Sequence, residues 1–163
     1  MKIEHWVPRS ESDEHHFTWS HLLGVCLGGS DEAAGGRPRS QSHHCDASRG
    51  NRRLFLHPVQ GQGADPREHL RYTKAGNVEA VEGDARVAAD IGALNLNAWQ
   101  LVRGREAVLD AAWRRLERGG FAIGELRRLE QDLRIAPGVQ LREHAEFLRY
   151  HVCKKIRRQR HTV

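Results

Sequence analysis

Three short blocks of sequence decide how this chain is interpreted, and the first of them, at residues 3–10, reads IEHWVPRS. The second, at residues 19–26, reads WSHLLGVC, and the third, at residues 44–51, reads HCDASRGN. Lys2–Val7 is typical of a short strand, which Pro8 ends because proline lacks the backbone N–H that a ladder needs. The first half of the chain therefore predicts short strands that carry Glu, His, Cys and Asp side chains.

Length and composition limit the protein to one domain, or to one domain with a small helical appendage. The chain has 163 residues and a mass of 18.5 kDa, which excludes a large multidomain enzyme. Hydrophobic residues make up 39% of it and charged residues 29%, so there is enough apolar material for a folded core. The 26 Lys and Arg exceed the 21 Asp and Glu, and the resulting net charge of +5 favours a polyanionic partner.

Histidine is over-represented, whereas cysteine is scarce and odd in number. Eight of the 11 His lie before residue 70, which indicates metal or acid–base chemistry there, because imidazole does both near neutral pH. Charged rather than apolar residues follow Met1, and no stretch approaches the ~20 apolar residues of a membrane helix. With only three Cys, we expect a soluble, cytoplasmic protein without a disulfide framework and without a membrane segment.

The composition and the spacing of apolar residues change near residue 83, so we expect two unlike regions, 1–83 and 84–163. In the first region, residues 28–42 are rich in Gly, Ser and Arg and predict an exposed loop. Short strands are predicted over three segments, with a hairpin turn at residues 74–77 between the last two: Arg53–Leu56, His69–Thr73 and Val78–Val81. The second region is predicted to be helical, over Asp84–Ala93, Asn97–Arg118, Ile123–Ile135 and Val139–Arg158.

The last predicted helix ends in a strongly basic run. Residues 154–160 read KKIRRQR. Such a run binds phosphate groups, or it is a solvated charge that is favourable at the C-terminus of a helix, and the sequence leaves both interpretations open.

Glu4, His5 and Asp46 are the residues best suited to chemistry. Adjacent residues of a strand point to opposite faces, so Glu4 and His5 serve one site only where the strand twists or lies at an edge. Nucleases of the ββα-metal type accommodate this geometry. A hard cation such as Mg²⁺ prefers oxygen ligands, which makes Glu4 and Asp46 its natural protein ligands in this chain.

The three blocks, in this order, resemble those of HNH endonucleases, and within that superfamily the HNH subunits of Septu-type and retron-associated anti-phage systems. The resemblance covers roughly residues 2–110. Beyond the three blocks it rests on further short segments and single residues: Asp65-Pro66, Leu70–Tyr72, Gly76–Val78, Asp90–Asn97, Leu101 and Arg103.

The resemblance implies an α+β fold, in which a ββα-metal (HNH) core is followed by a small β-hairpin and a C-terminal helical region. It implies a metal-dependent endonuclease that cleaves DNA, uses Mg²⁺ or Mn²⁺, and acts as the effector of a defence system beside an ATPase partner. Glu4 and Asp46 would hold the catalytic cation, and His5 would be the general base. His21 stands where the family usually has Asn, and Arg49 stands where a Lys is common and would contact phosphate. The Gly-rich segment 28–36 lacks a phosphate-loop pattern, so no small-molecule nucleotide substrate is expected.

The cysteines depart from the family pattern. Related proteins carry a Cys-x-x-Cys before the first block, which completes a tetrahedral zinc site with two later Cys. Cys26 and Cys45 would be the remaining half of that structural zinc site, with His43 or His44 as substitute ligands. Either Met1 is an internal or misassigned start, which we favour, or this chain holds its fold by other means. Cys26 has a second interpretation as a small buried hydrophobic residue.

One alternative function stays open at this point. A truncated or inactive HNH protein would be a non-catalytic, zinc-stabilised module that binds nucleic acid or an acidic partner. The missing Cys-x-x-Cys and the replacement of Asn by His21 favour this alternative. Cleavage of DNA would separate it from the endonuclease, because a binding module grips nucleic acid without cutting it.

Overall fold

A computed structural model of the chain describes residues 2–11, 18–28, 43–59, 61–134 and 140–160. These residues form an α+β fold, which confirms the predicted class. Two small antiparallel sheets, each of two strands, are followed by longer helices, and 3₁₀ turns lie at Trp19–His21 and Val81–Gly83. The strands and helices are β1 (Lys2–His5), β2 (Leu22–Val25), α1 (Asp46–Arg49), α2 (Pro66–His69), β3 (Leu70–Tyr72), β4 (Val78–Ala80), α3 (Ala85–Ala93), α4 (Trp99–Glu117), α5 (Ile123–Asp132) and α6 (Ala145–Arg160).

The first sheet pairs β1 with β2. Glu4 lies opposite Leu23 in this pair and His5 lies opposite Leu22. The predicted strand to Val7 is too long, because β1 ends at His5. The N–H of Trp6 then donates to the carbonyl of His21 at 2.7 Å, outside the ladder. Apart from Gly28, the predicted loop at residues 28–42 lies outside the described residues.

The second sheet is a hairpin of β3 and β4, as the sequence predicts. Its turn is closed by the N–H of Thr73, which donates to the carbonyl of Asn77 at 3.0 Å. Gly76 has a φ of 81° there, a conformation that glycine adopts without steric cost. The hairpin contributes to an apolar core formed by Leu56, Leu70, Val78 and Val87.

Residues 53–56 do not form the predicted strand. Leu56 makes one isolated bridge to Ala64. The N–H groups of Phe55 and Leu56 donate instead to one carboxylate oxygen of Asp90 on α3, at 2.9 and 2.7 Å. Asp90 is 3% exposed. A buried carboxylate thus replaces a neighbouring strand as the acceptor for this segment.

The chain divides into two compact units, of which the first contains residues 1–73 and 77–101 and the second contains residues 74–76 and 102–163. The change in composition and apolar spacing at residue 83 falls inside the first unit, because α3 packs on β4. Asp84 caps α3, since its carboxylate accepts from the N–H of Arg86 at 2.9 Å.

The second unit is helical. Its core is made of leucines and of residues from α6 that are buried on one face, among them Leu126, Leu133, Leu148 and Val152. Helix α6 begins at Ala145, six residues after the predicted start at Val139, and Val139 itself lies outside the described residues. Within the described ranges, no helix combines the length and the apolar character that crossing a membrane requires.

Candidate functional site

A cavity of about 380 Å³ in the first unit brings most of the predicted site residues together. Glu4, His5, Cys26, Cys45 and Asp46 all line it. They come from β1, from the residue that follows β2, and from the start of α1. Arg49 lines it too, and most of the remaining wall is apolar: Trp6, Leu23, Val25, Leu54, Leu56, Pro58, Pro66, Leu70, Leu94 and Leu96. Ionisable groups held against an apolar wall are typical of binding and catalytic sites.

The two predicted metal ligands share one cation, the ammonium group of Lys2. Its Nζ lies 2.9 Å from Oε1 of Glu4 and 2.8 Å from Oδ2 of Asp46. These two oxygens are therefore at most about 5.7 Å apart, the sum of the two distances. The hydrogen bond to Asp46, followed by that to Glu4, raises the pKa of Lys2 above its usual range. The ammonium group of Lys2 thus occupies the position between Glu4 and Asp46 that the sequence predicts for a divalent metal ion.

His5 is fixed through its backbone. Its carbonyl accepts from Nη1 of Arg49 at 2.8 Å, and the carbonyl of Trp6 accepts from Nη2 of the same guanidinium. Nε of Arg49 donates to the carbonyl of Arg52 at 2.8 Å. Burial lowers the pKa of Arg49, which is 5% exposed. Arg49 therefore joins α1 to the end of β1 through these carbonyls, and it also lines the cavity. The phosphate contact expected from the sequence stays a prediction.

His21 lies next to the site rather than in its wall. It ends the 3₁₀ turn before β2, and its carbonyl accepts from the N–H of Trp6. Its ring lies 6.1 Å from the ring of Trp6, which packs at 4.6 Å against the ring of His57. The indole N–H of Trp6 donates to the carbonyl of Leu56 at 3.1 Å. His21 thus helps to fix Trp6, the residue after His5, through its backbone carbonyl and its ring.

A second group of candidate ligands shares this wall through Cys26 and Cys45. Nδ1 of His44 is 3.8 Å from Sγ of Cys26 and 3.3 Å from Sγ of Cys45. The three ligand atoms all lie within 4.8 Å of one another, so these residues could hold a metal ion. The sequence offers His43 or His44 as a substitute zinc ligand, and the structure brings His44 into the group.

The distances in this group fit a tetrahedral metal ion. With Zn–S near 2.3 Å and Zn–N near 2.05 Å, a tetrahedral angle puts sulfur and nitrogen about 3.6 Å apart. The two observed separations, 3.8 and 3.3 Å, lie on either side of that value. Two thiols and an imidazole are also the donor set that zinc favours, and a hard cation would prefer oxygen.

Local backbone structure explains why Cys26 meets His44. Gly28 has a φ of 66°, its carbonyl accepts from the N–H of His44 at 2.9 Å, and a Cβ added to it would collide with the carbonyl of His44 and with Ala47. Only glycine allows this approach. Cys45 itself has a φ of 53° and a ψ of −134°, a conformation that residues with a Cβ rarely adopt and that costs on the order of 1–3 kcal/mol.

The segment that follows α3 holds this strained loop in place. The N–H of Cys45 donates to the carbonyl of Leu94 at 2.7 Å. The side-chain amide of Asn95 donates to the carbonyl of His43 at 2.7 Å. Residues 94–97, Leu-Asn-Leu-Asn, therefore support the loop that carries His44 and Cys45, two of the three candidate metal ligands. This stretch belongs to the family resemblance, which assigns it no role.

No protein-family model, curated protein or solved structure matches this chain, so the site rests on its own geometry. Sequence reasoning missed Lys2 and Asp90. Alternation along β1 places Lys2 on the same face as Glu4, and this spacing of two residues could have identified it. Asp90 shows no such signal, because its partners lie more than 30 residues away in the chain.

Proposed function

We propose that the protein is a metal-dependent HNH endonuclease that cleaves DNA. The observation that carries the proposal is the pairing of Glu4 and Asp46 around one cationic group, in a cavity that His5 also lines. The two carboxylates come from elements 42 residues apart in the chain, so their approach is a property of the fold and not of local sequence. A ββα-metal core, with β1, β2 and α1 as its elements, is part of this proposal.

The carboxylates fit a hard divalent cation such as Mg²⁺ or Mn²⁺. Both are partly buried, with 32% of the Glu4 side chain and 19% of the Asp46 side chain exposed. Carboxylate oxygens are the ligands that such ions prefer, and a site with only two of them leaves room for water and a phosphate oxygen. A bound cation of this kind would polarise the phosphorus–oxygen bonds and neutralise developing charge.

His5 is the general base in this proposal. Its imidazole takes a proton from the attacking water while the water oxygen bonds to phosphorus. The bond from phosphorus to the leaving oxygen breaks on the opposite side, and that oxygen takes a proton from solvent. Arg49 positions His5, because it holds the carbonyls of His5 and Trp6 from α1. His21 supports the same loop through the N–H of Trp6. Cys26, His44 and Cys45 would hold a structural zinc ion that fixes the cavity wall.

The charge distribution supports a nucleic-acid substrate. Residues 102–163 contain fifteen Lys and Arg against eight Asp and Glu, whereas residues 1–101 contain eleven against thirteen. Residues 102–163 therefore carry a net charge of +7 and residues 1–101 a net charge of −2. A concave surface of the second unit is lined by Lys155, Arg158 and Arg160 beside the side chains of Phe121 and Ile123. Basic side chains of this kind contact the phosphate backbone without reading sequence.

Plasmid nicking tests the proposal. Supercoiled DNA is incubated with the protein and Mg²⁺ or Mn²⁺, with and without the ATPase that the resemblance implies as its partner. We expect nicking that EDTA abolishes and that His5→Ala reduces at least 100-fold, since general bases contribute about 10²–10⁴ in rate. His69→Ala is the matched control, because His69 packs on Phe55 and does not line the cavity. Equal nicking by His5→Ala and the wild type would contradict the role of His5.

A second candidate function is a zinc-stabilised binding module without catalysis, as part of the same defence system or outside it. The Cys26, His44 and Cys45 group supports it, since this metal group does not need Glu4 or His5. It predicts DNA or partner binding that EDTA leaves unchanged over the time of the assay and that salt weakens steeply. Nicking in the plasmid assay would exclude it.

A further inference from the structure

The side chain of Lys2 contacts both proposed metal ligands, yet the proposed mechanism does not use it. Lys2 lies on β1 two residues before Glu4, on the same face of the strand. Its ammonium donates to Asp46 across 44 residues of sequence and is also paired with Glu4. The side chain is 39% exposed, so solvent reaches it and it has space to withdraw.

An ammonium and a divalent cation cannot share this position. Mg²⁺ binds oxygen at 2.0–2.1 Å and ligands on opposite sides of it lie only about 4.2 Å apart. The ammonium holds its two oxygens at 2.9 and 2.8 Å, within a separation of up to about 5.7 Å. A metal ion that binds both carboxylates must therefore replace Nζ, and it would hold the two oxygens no more than about 4.2 Å apart.

We propose that Lys2 is an intramolecular competitor for the divalent cation, which keeps Glu4 and Asp46 paired and neutralised until a metal ion displaces it. The inference rests on the proposed function, because it concerns the same site. Two carboxylates this close repel each other, and the ammonium offsets that repulsion. Since Lys2 is tethered to the strand, its effective concentration at the site is in the millimolar range or above, comparable with cellular Mg²⁺. Lys2 thereby sets the metal concentration at which the site fills.

This role differs from that of an ordinary surface ion pair. Arg71 and Glu79 form such a pair across β3 and β4, with a distance of 2.9 Å and both side chains about half exposed. That pair lies away from the cavity, and removing its cation changes the net charge by the same amount as removing the cation of Lys2. Arg71→Gln is therefore the matched control for Lys2→Gln.

Manganese titration followed by electron paramagnetic resonance tests the inference on the full chain. We expect Lys2→Gln to bind Mn²⁺ at least tenfold more tightly than the wild type, and Arg71→Gln to stay within twofold of the wild type. Asp46→Asn should lose this binding. Equal affinity of Lys2→Gln and the wild type, with the loss in Asp46→Asn retained, would overturn the role of Lys2 and leave the proposed metal site standing. Binding that is absent from every variant would overturn the site itself, and the inference with it.

A second measurement uses only the wild-type chain, so it does not depend on the folding of a variant. Two carboxylates hold the ammonium of Lys2, and we expect its ¹H–¹⁵N signal to exchange with solvent more slowly without metal than that of the exposed Lys74. Addition of Mg²⁺ should remove this protection at the same concentrations that support nicking. Protection that persists at saturating Mg²⁺ would overturn the inference.

Discussion

Replacing Arg49 by alanine is expected to destabilise the first unit strongly, because the guanidinium joins three backbone carbonyls. It donates to His5, Trp6 and Arg52, and it is 5% exposed. Hydrogen bonds from a charged donor contribute about 1.5–3 kcal/mol each. Such contributions do not add fully, and removing the buried charge recovers some solvation, so we expect a loss of about 3–5 kcal/mol.

Urea denaturation, followed by tryptophan fluorescence, measures this loss. With a slope of about 2 kcal/mol per molar urea, a loss of about 4 kcal/mol lowers the midpoint by about 2 M. Arg49→Lys keeps the charge but not the forked geometry, so it should lose about half as much. Arg71→Ala is the control on the same unit, because its pair with Glu79 is exposed and should contribute less than about 1 kcal/mol.

If Arg49 instead contacts phosphate, its replacement should affect DNA binding and not the unfolding free energy. A phosphate-contacting Arg49 would leave the unfolding free energy within about 0.5 kcal/mol of the wild type. Its removal would instead weaken DNA binding uniformly across sequences and reduce the salt slope by about one. An unchanged urea midpoint for Arg49→Ala would therefore refute the structural role of this guanidinium.

Three further results follow from the structure. Asp90→Ala should cost about 3 kcal/mol or more in unfolding free energy, whereas Asp90→Asn, which keeps a neutral acceptor for the N–H groups of Phe55 and Leu56, should cost about 1 kcal/mol. Thermal denaturation that gives equal losses would contradict the role of Asp90 as their acceptor. Burial lowers the pKa of His57, so the unfolded chain takes up its proton first, and stability should fall as the pH drops below about 6.5 and be regained above it. Urea midpoints between pH 5 and 8 measure this, and His57→Phe should flatten that part of the profile. The purified protein should contain about one zinc per chain by elemental analysis, and Cys26→Ser should reduce it at least tenfold; unchanged zinc in that variant would contradict the ligand group.

The sequence predicts the parts of the fold that depend on local patterns. The amphipathic helices, the β3–β4 hairpin and the first strand all follow from periodicity and turn residues, and their observed ends differ by a few residues at most, except at α6. The resemblance of the three blocks predicts that Glu4, His5 and Asp46 share one cavity, and all three line the same one. That Cys26 and Cys45 line it too does not follow from the sequence. That they bind metal and cleave DNA stays a prediction.

The features that sequence analysis missed depend on long-range contacts. Residues 53–56 contain an apolar run that is typical of a strand. Two of their backbone N–H groups donate to Asp90 instead of to a neighbouring strand. Arg49 carries the charge of a phosphate contact, yet carbonyls from the end of β1 enclose it. In both cases the partner lies 34 or more residues away, and only the tertiary structure determines whether a polar side chain faces water or the backbone.

Anomalous diffraction from crystals soaked in Mn²⁺ is the most direct test of the metal site. We expect a manganese peak within about 2.0–2.6 Å of one oxygen each from Glu4 and Asp46, with Nζ of Lys2 withdrawn from between them. Crystals that keep Nζ bound to both carboxylates at saturating Mn²⁺, with no peak between them, would contradict it.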